Sequence, residues 1–308
     1  MLDALADPVA RRVVYLIAAG GKRLRPALVL LAGSAGPSPD RRALCDAAAA
    51  VELIHTATLL HDDIIDQSRL RRARPAFHHR WGVERALLMG DYLYATAFTL
   101  LARLDTPEVI RIIAEVCRDL CRGELLEVEA RYRLDLSEPE YVAIIRDKTA
   151  SLIAGCCRSG AVLGGCSAKT VQRLAEFGLN FGLAFQIVDD CLDLTGDQRE
   201  LGKSIHADLD KGALSLPLIY LAKRLPARAR NRLFAPLRAA GSQAGVGMDP
   251  AFLARVAGAA QDAGAVERAL GRAQQFIREA QASLAGLPMN GLTDAYHCLA
   301  DYAITRRR

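Results

Sequence analysis

The residues best suited to chemistry lie in one stretch, His55 to Asp66, which reads H-T-A-T-L-L-H-D-D-I-I-D. Its end sets three carboxylates, Asp62, Asp63 and Asp66, behind an otherwise apolar, helix-patterned run. At about 100° per residue the three share one helix face. Carboxylates about 5 Å apart repel by about 3 kcal/mol at an effective dielectric near 20, so such a face asks for a cation. The spacing recurs in F-Q-I-V-D-D-C-L-D, which supplies Asp189, Asp190 and Asp193. A lone triad reads more readily as a solvated helix end. Two of identical spacing, each behind a stretch too apolar for surface helix, favour a site. Oxygen-only ligands suit a hard cation, and Mg²⁺ enters typically through one or two carboxylates plus phosphate oxygens. The implied ligand is a diphosphate clamped between two facing helices.

Basic residues cluster where that ligand would need them. G-G-K-R-L-R-P concentrates Lys22, Arg23 and Arg25 at a turn, which alone is an ordinary basic loop but beside a diphosphate becomes an anion clamp. Arg69, Arg71, Arg72 and Arg74 follow directly on the first triad; simple charge balance is one reading, and guanidinium forks matched to phosphate oxygens explain them better. His55, nearly two turns before Asp62 on the same face, is either a core histidine or part of the cavity. Lys148, in mid-helix, would alone be expected to snorkel to solvent.

These side chains must be carried by helices. The patterning predicts helices over about 8–19, from Pro26, from a Ser38 cap with Pro39 first in the helix through to Asp66, over about 83–103 and over 107–132. Ser137 to Glu140 forms a capping box opening the helix of Lys148 and Thr149, and a further helix over about 168–195 carries Gln186 and ends in the second triad. The polar, glycine-punctuated stretch beyond it contains Lys203 and could form a lid. From Leu214 onward we find packing helices without identifiable chemistry, and terminal Arg306, Arg307 and Arg308 read as solvated.

With 308 residues, 51% hydrophobic and 6% aromatic, the chain is long enough for a large core, and its Ala/Leu-rich composition favours helices packed on helices. No linker divides it, so residues 1–308 are expected to form a single all-α domain. The net charge of +5 is scattered rather than laid out as a basic stripe, so nucleic acid is not indicated. The eight cysteines sit mostly among apolar residues without C-x-x-C spacing and read as buried, reduced thiols, which suits the cytoplasm. Nothing near Met1 has the form of a signal peptide, and charges such as Asp91 and Arg158 interrupt the apolar runs. A soluble protein without stable membrane insertion is expected.

In order from about Gly20 to Leu218, the motifs G-G-K-R-L-R-P, E-L-I-H-T-A-T-L-L-H-D-D-I-I-D, L-R-R, G-D-Y-L, D-K-T-A and F-Q-I-V-D-D-C-L-D-L-T-G-D resemble those of the trans-polyprenyl diphosphate synthases. The resemblance implies an all-α helical bundle around a central cavity and head-to-tail addition of isopentenyl diphosphate to an allylic diphosphate. By similarity, the six aspartates hold Mg²⁺ on the allylic diphosphate, and Arg71, Lys148, Thr149, Gln186 and Lys203 line that site. Lys22, Arg25, His55 and Arg72 would hold isopentenyl diphosphate. A homodimer is implied in the same way.

One departure is visible: many relatives carry a second lysine where this chain has Ala213, with Lys211 two residues earlier. Product length follows from another position. In short-chain relatives a bulky residue five before the first triad floors the product pocket; here it is Ala57, followed by Thr58, which implies a product longer than farnesyl and beyond geranylgeranyl. A class I terpene cyclase is the main competing reading, and the basic residues with the second aspartate triad argue against it. A non-catalytic regulatory subunit is the other, and both triads being intact argues against that.

Overall fold

The computed structural model describes residues 7–196, 206–240, 248–287 and 291–306. Its elements run α1 (Pro8–Ile17), α2 (Leu24–Ser34), α3 (Arg41–Ile65), a hairpin of β1 (Leu70–Arg71) and β2 (Arg74–Pro75), α4 (Phe77–Trp81), α5 (Val83–Leu101) and α6 (Pro107–Ala130). There follow α7 (Glu138–Ile145), a π turn (Arg146–Ala150), α8 (Ser151–Leu163), α9 (Ala168–Thr195), α10 (Ala207–Asp210), α11 (Leu216–Arg224), α12 (Ala227–Leu233), α13 (Ala235–Ala240), α14 (Pro250–Asp262), α15 (Ala265–Ser283) and α16 (Thr293–Thr305). The fold is all-α, as the composition leads one to expect.

The long apolar helices form the centre. α3 lies between α2 and α5, α2 packs on α8, and α8 sits between α6 and α9, whose far side is covered by α15. By length and a mean hydropathy of 1.4 over its apolar window, α3 has the composition of a membrane-spanning helix, although charged residues such as Asp46 and Glu52 interrupt its apolar run. It has helices on several sides instead, which is where a core helix earns such a composition.

Local signals explain where these helices begin. Asp7 caps α1, its side chain accepting from Val9 N–H at 2.9 Å. α3 starts two residues later than the Ser38 cap predicts, because Asp40 takes the N–H groups of Arg42 and Ala43. At α7 the box closes in both directions: Ser137 accepts from Glu140 N–H, and Glu140 accepts from Ser137 N–H at 2.9 Å.

Between α7 and α8 the helix widens by one residue, with Ser151 N–H donating to Arg146 C=O. Nothing in the periodicity foretells this π turn. Glycines let its neighbours close on it: a Cβ at Gly123 of α6 would overlap the backbone of Lys148, and one at Gly182 of α9 would overlap Ala150. Such turns concentrate at functional sites, and this one carries Lys148 and Thr149.

Candidate active site

α2, α3, α5, α6, the π turn and α9 surround a cavity of about 1000 Å³. The first triad reaches it through the last turn of α3. Asp62 lines this cavity, while Asp66 lines a smaller adjoining one of about 110 Å³. Asp63 turns away and is buried in an ion pair with Arg71 of the hairpin. That hairpin turns at Arg72 and Ala73, both with positive φ (52° and 59°), the backbone of a tight I′ turn built without glycine. Strain of this kind is tolerated where it aims side chains. Here it delivers Arg71 to Asp63 and Arg72 to the carbonyl of Gly20.

The second triad is arranged differently. Asp189 lines the main cavity, 40% exposed, and its Oδ1 lies 3.2 Å from Arg306 Nη1. Asp190 is buried, accepting from Tyr141 O–H at 2.6 Å and Gln186 N–H at 2.7 Å. Asp193 is buried too, and accepts from the N–H of Asp208 at 3.2 Å.

Cations already compensate the acidic groups. Lys148 lies 2.8 Å from Glu124 and also pairs with Glu127, both of α6. Burial alone would depress its pKa; Glu127, Glu124 and Asp62 outweigh burial and raise it, so Lys148 is a permanent cation. Burial pushes Asp62 up to about 7, helped by Glu124 and Asp66 and opposed by Lys148 and Arg71. Thr149 donates its hydroxyl to Gln186 Oε1 at 2.9 Å, which fixes the amide so that its N–H₂ meets Asp190.

Lys22, Arg25, His55 and Arg72 line the same cavity. Burial, reinforced by Arg25, Arg72, Arg71 and Arg23, holds the His55 pKa well below the usual histidine range, so the imidazole is neutral. Among the described residues, the Nε groups of Arg25, Arg131 and Arg306 are buried without a hydrogen-bond partner. Arg131 and Arg306 are held through their other nitrogens by Asp66, Asp189 and the Phe185 carbonyl, so each Nε–H remains a donor for a further acceptor such as an anion.

The donor set also fits a divalent cation. Asp62, Asp66 and Asp189 offer oxygen alone, and burial, with Glu124 and Asp66 nearby, disfavours the charged form of Asp62 in a way a cation would relieve. Among the described residues no three acidic, histidine or cysteine side chains converge on one point. A cation would therefore be held by one or two carboxylates at a time, with phosphate oxygens completing its shell, as suits Mg²⁺.

The structure relocates several expected residues. Arg306 is buried and lines the cavity rather than being solvated, with its guanidinium stacked 3.7 Å above Phe185. Ala57 does not line the cavity: it is fully buried against Phe77, Met89 and Leu93, while Thr58 and Leu59, rotated about 100° and 200° further, line it. With Tyr94, Leu120 and Cys121 they form its apolar side. The thiols are all unpaired, but only Cys156, Cys157 and Cys191 are buried; Cys45, Cys121 and Cys298 are exposed. Lys203 lies outside the described residues, as does the part of the expected lid over 197–205; the remainder of that stretch forms α10 and the turn after it. Sequence reasoning missed Glu124, Glu127, Arg131, Tyr141 and Arg306, whose only local signal is the i, i+3 pair of Glu124 and Glu127 on one face of α6.

Comparison with known proteins bears on this geometry. A sequence profile of the polyprenyl synthetase family matches residues 7–245. The chain is 38% identical over 297 residues to heptaprenyl diphosphate synthase component 2 of Geobacillus stearothermophilus, spanning 96% of this chain and 88% of that protein. It is 36% identical over 309 residues to a short chain isoprenyl diphosphate synthase of Methanothermobacter thermautotrophicus, spanning 99% and 92%. Among solved structures, a polyprenyl synthase from Caulobacter crescentus complexed with calcium and isoprenyl diphosphate superposes with a TM-score of 0.92 at 37% identity, covering 99% of this chain and 92% of that one.

Proposed function

The chain belongs to the polyprenyl synthetase family and is a prenyl diphosphate synthase, and on that premise we propose how its cavity divides the work. The allylic diphosphate binds between the two triads, against Lys148, Thr149 and Gln186 and with Arg71 nearby. Isopentenyl diphosphate binds the basic wall of Lys22, Arg25, His55 and Arg72. The observation that carries this division is the cavity itself: one continuous space of about 1000 Å³ lined by Asp62, Asp189 and Lys148 and also by Lys22, Arg25, His55 and Arg72.

Asp62, Asp66 and Asp189 would hold Mg²⁺, with Lys203 a further candidate beside the allylic diphosphate. When bound, the metal supplies positive charge to the departing diphosphate oxygens. Lys148 and the nearby guanidinium groups stabilise the same developing charge, preorganised by their ion pairs. Leu59, Leu120 and the Tyr94 ring keep water from the allylic cation while the isopentenyl double bond attacks it. The proton then lost goes to the leaving diphosphate, and neutral His55 orients the homoallylic diphosphate as a hydrogen-bond donor.

A product longer than geranylgeranyl is part of this reading, supported by Thr58 and Leu59, rather than Phe, Tyr or Trp, on the cavity face of α3. So is a homodimer, because Leu87, Leu88 and Tyr92 of α5 and Leu125 and Val128 of α6 are large, apolar and exposed, a surface a second copy would cover. Cytoplasmic residence rests on the unpaired thiols.

The test is incubation of the protein with Mg²⁺, labelled isopentenyl diphosphate and, separately, dimethylallyl, geranyl, farnesyl or geranylgeranyl diphosphate, followed by sizing of the products. A ladder ending beyond geranylgeranyl is expected. Consumption of the allylic substrate to hydrocarbon without isopentenyl incorporation would turn the reading to a cyclase. No consumption with any primer would turn it to a subunit that needs a different partner.

A further inference from the structure

Asp66 is paired on both oxygens. Arg131 Nη2 lies 2.8 Å from Oδ1, and Lys211 Nζ lies 2.9 Å from Oδ2. The two cations come from separate parts of the chain, Arg131 just past α6 and Lys211 at the end of α10. A local joint fixes them to one wall. Tyr132, left-handed at φ 63°, donates its N–H to Gly212 C=O at 2.7 Å. Gly212, at φ 80°, lies so close to the Tyr132 ring that an added Cβ would overlap it.

That wall bounds the smaller cavity of about 110 Å³, which Lys148, Thr149 and Gln186 close on the other side. The space equals three or four waters at about 30 Å³ each, enough to admit phosphate oxygens. Ala213 contributes only a methyl group to it, so the cationic donors on this side of the cavity are Lys211 and Arg131. Arg131 Nε, buried in the same wall, has no hydrogen-bond partner among the described residues.

A carboxylate with a cation on each oxygen serves a divalent metal poorly, because the metal's charge is repelled by both, so metal binding favours release of one of them. If the metal takes Asp66, Lys211 and Arg131 lose their anionic partner while largely enclosed, which is costly unless another anion replaces it. The diphosphate is that anion. We infer that Lys211, with Arg131 beside it, is a diphosphate-binding residue that occupies Asp66 in the unloaded protein and passes to the diphosphate when a metal claims that carboxylate. This inference rests on the functional reading above and adds a residue to it. The exchange breaks no covalent bond.

It makes an unusual demand: removing Lys211 must strengthen one kind of binding and weaken another. Calorimetry would compare the wild type with Lys211→Met and Lys211→Arg, titrating Mn²⁺ alone and then inorganic diphosphate at saturating Mg²⁺. Lys211→Met is expected to bind Mn²⁺ alone several-fold more tightly, since a competitor for Asp66 is gone. Its affinity for diphosphate should fall roughly ten- to a hundredfold, the range for a lost charged hydrogen bond, and Lys211→Arg should restore most of it. Both affinities falling together would mark Lys211 as merely structural and overturn the inference, as would unchanged diphosphate binding. A wild type that takes up no diphosphate with Mg²⁺ would overturn the functional reading and this assignment with it, a result distinguishable from failure of the variant alone.

Discussion

The two D-D-x-x-D motifs have the same letters at the same spacing, yet the bundle uses them differently. In the first, Asp62 and Asp66 face cavities and only Asp63 is buried in an ion pair. In the second, Asp189 faces the main cavity and Asp190 borders the smaller one, but Asp190 is buried and held by Tyr141 and Gln186, and Asp193 is buried and hydrogen-bonded into the frame. Both triads close the C-terminal turn of a long helix, where the helix dipole is negative and further carboxylates are unfavourable without cations. The first end is relieved by charges, Arg71, Arg131 and Lys211. Among the described residues, the second is met by Arg306 at its rim and by the neutral donors Tyr141, Gln186 and the N–H of Asp208 inside. Charge relief leaves carboxylates exchangeable for a metal, whereas buried neutral donors make them part of the frame.

The largest effect that would break this contrast is catalytic. Asp62→Ala is expected to lower kcat on the order of 10³-fold, the scale of losing one electrostatic contact to the leaving group. Its unfolding transition should be unchanged or slightly raised, because burial already penalises that carboxylate, as its pKa near 7 records. Steady-state kinetics with product sizing, alongside denaturant unfolding, measures both. A variant that kept its activity and lost stability would reverse the roles assigned to the two triads.

How much of this was readable beforehand follows from where the information resides. The helix over 168–195, the capping box at Ser137 and both triads are written in local spacing, and α9 spans Ala168–Thr195. The basic wall was legible as residue types but not as geometry, since the left-handed turn at Arg72 and Ala73 has no glycine to announce it. Arg306 was read as solvated because nothing local distinguishes it; it meets Asp189 across 117 residues of chain. The π turn is a product of packing, made possible by Gly123 and Gly182 on two other helices. The first triad's facing cations were hidden for the same reason, with Lys211 reaching Asp66 across 145 residues.

Neighbouring positions one turn before the first triad sharpen the distinction between cavity face and frame on a single helix. Ala57→Phe is expected to cost about 3 kcal/mol, the upper end for overpacking, because Ala57 is fully enclosed by Phe77, Met89 and Leu93. Thr58→Phe faces open space and should leave stability within about 1 kcal/mol while shortening the product, since the ring would project into the apolar side of the cavity. Product chromatography and thermal unfolding of the two variants separate these outcomes. Shortening by Ala57→Phe with unaltered stability would return the gate to Ala57.

The smallest effect tests the buried half of the second triad. Tyr141 is buried, and its hydroxyl donates to Asp190 Oδ2 at 2.6 Å. Burial, with Asp208 nearby, raises the Asp190 pKa against the hydrogen bonds from Tyr141 and Gln186, so the carboxylate depends on those donors for its place. Tyr141→Phe removes one donor, leaves the ring packing intact and keeps the Gln186 contact at 2.7 Å. The expected cost is about 1.5–2 kcal/mol in unfolding free energy, read as a lower denaturant midpoint at unchanged slope, the range for a hydrogen bond to a charged acceptor. Turnover should stay within a few-fold, because Asp189, the member that faces the main cavity, does not touch Tyr141. A large fall in kcat at constant stability would instead mean that Asp190 reaches the metal, and that the two triads differ less in use than their burial implies.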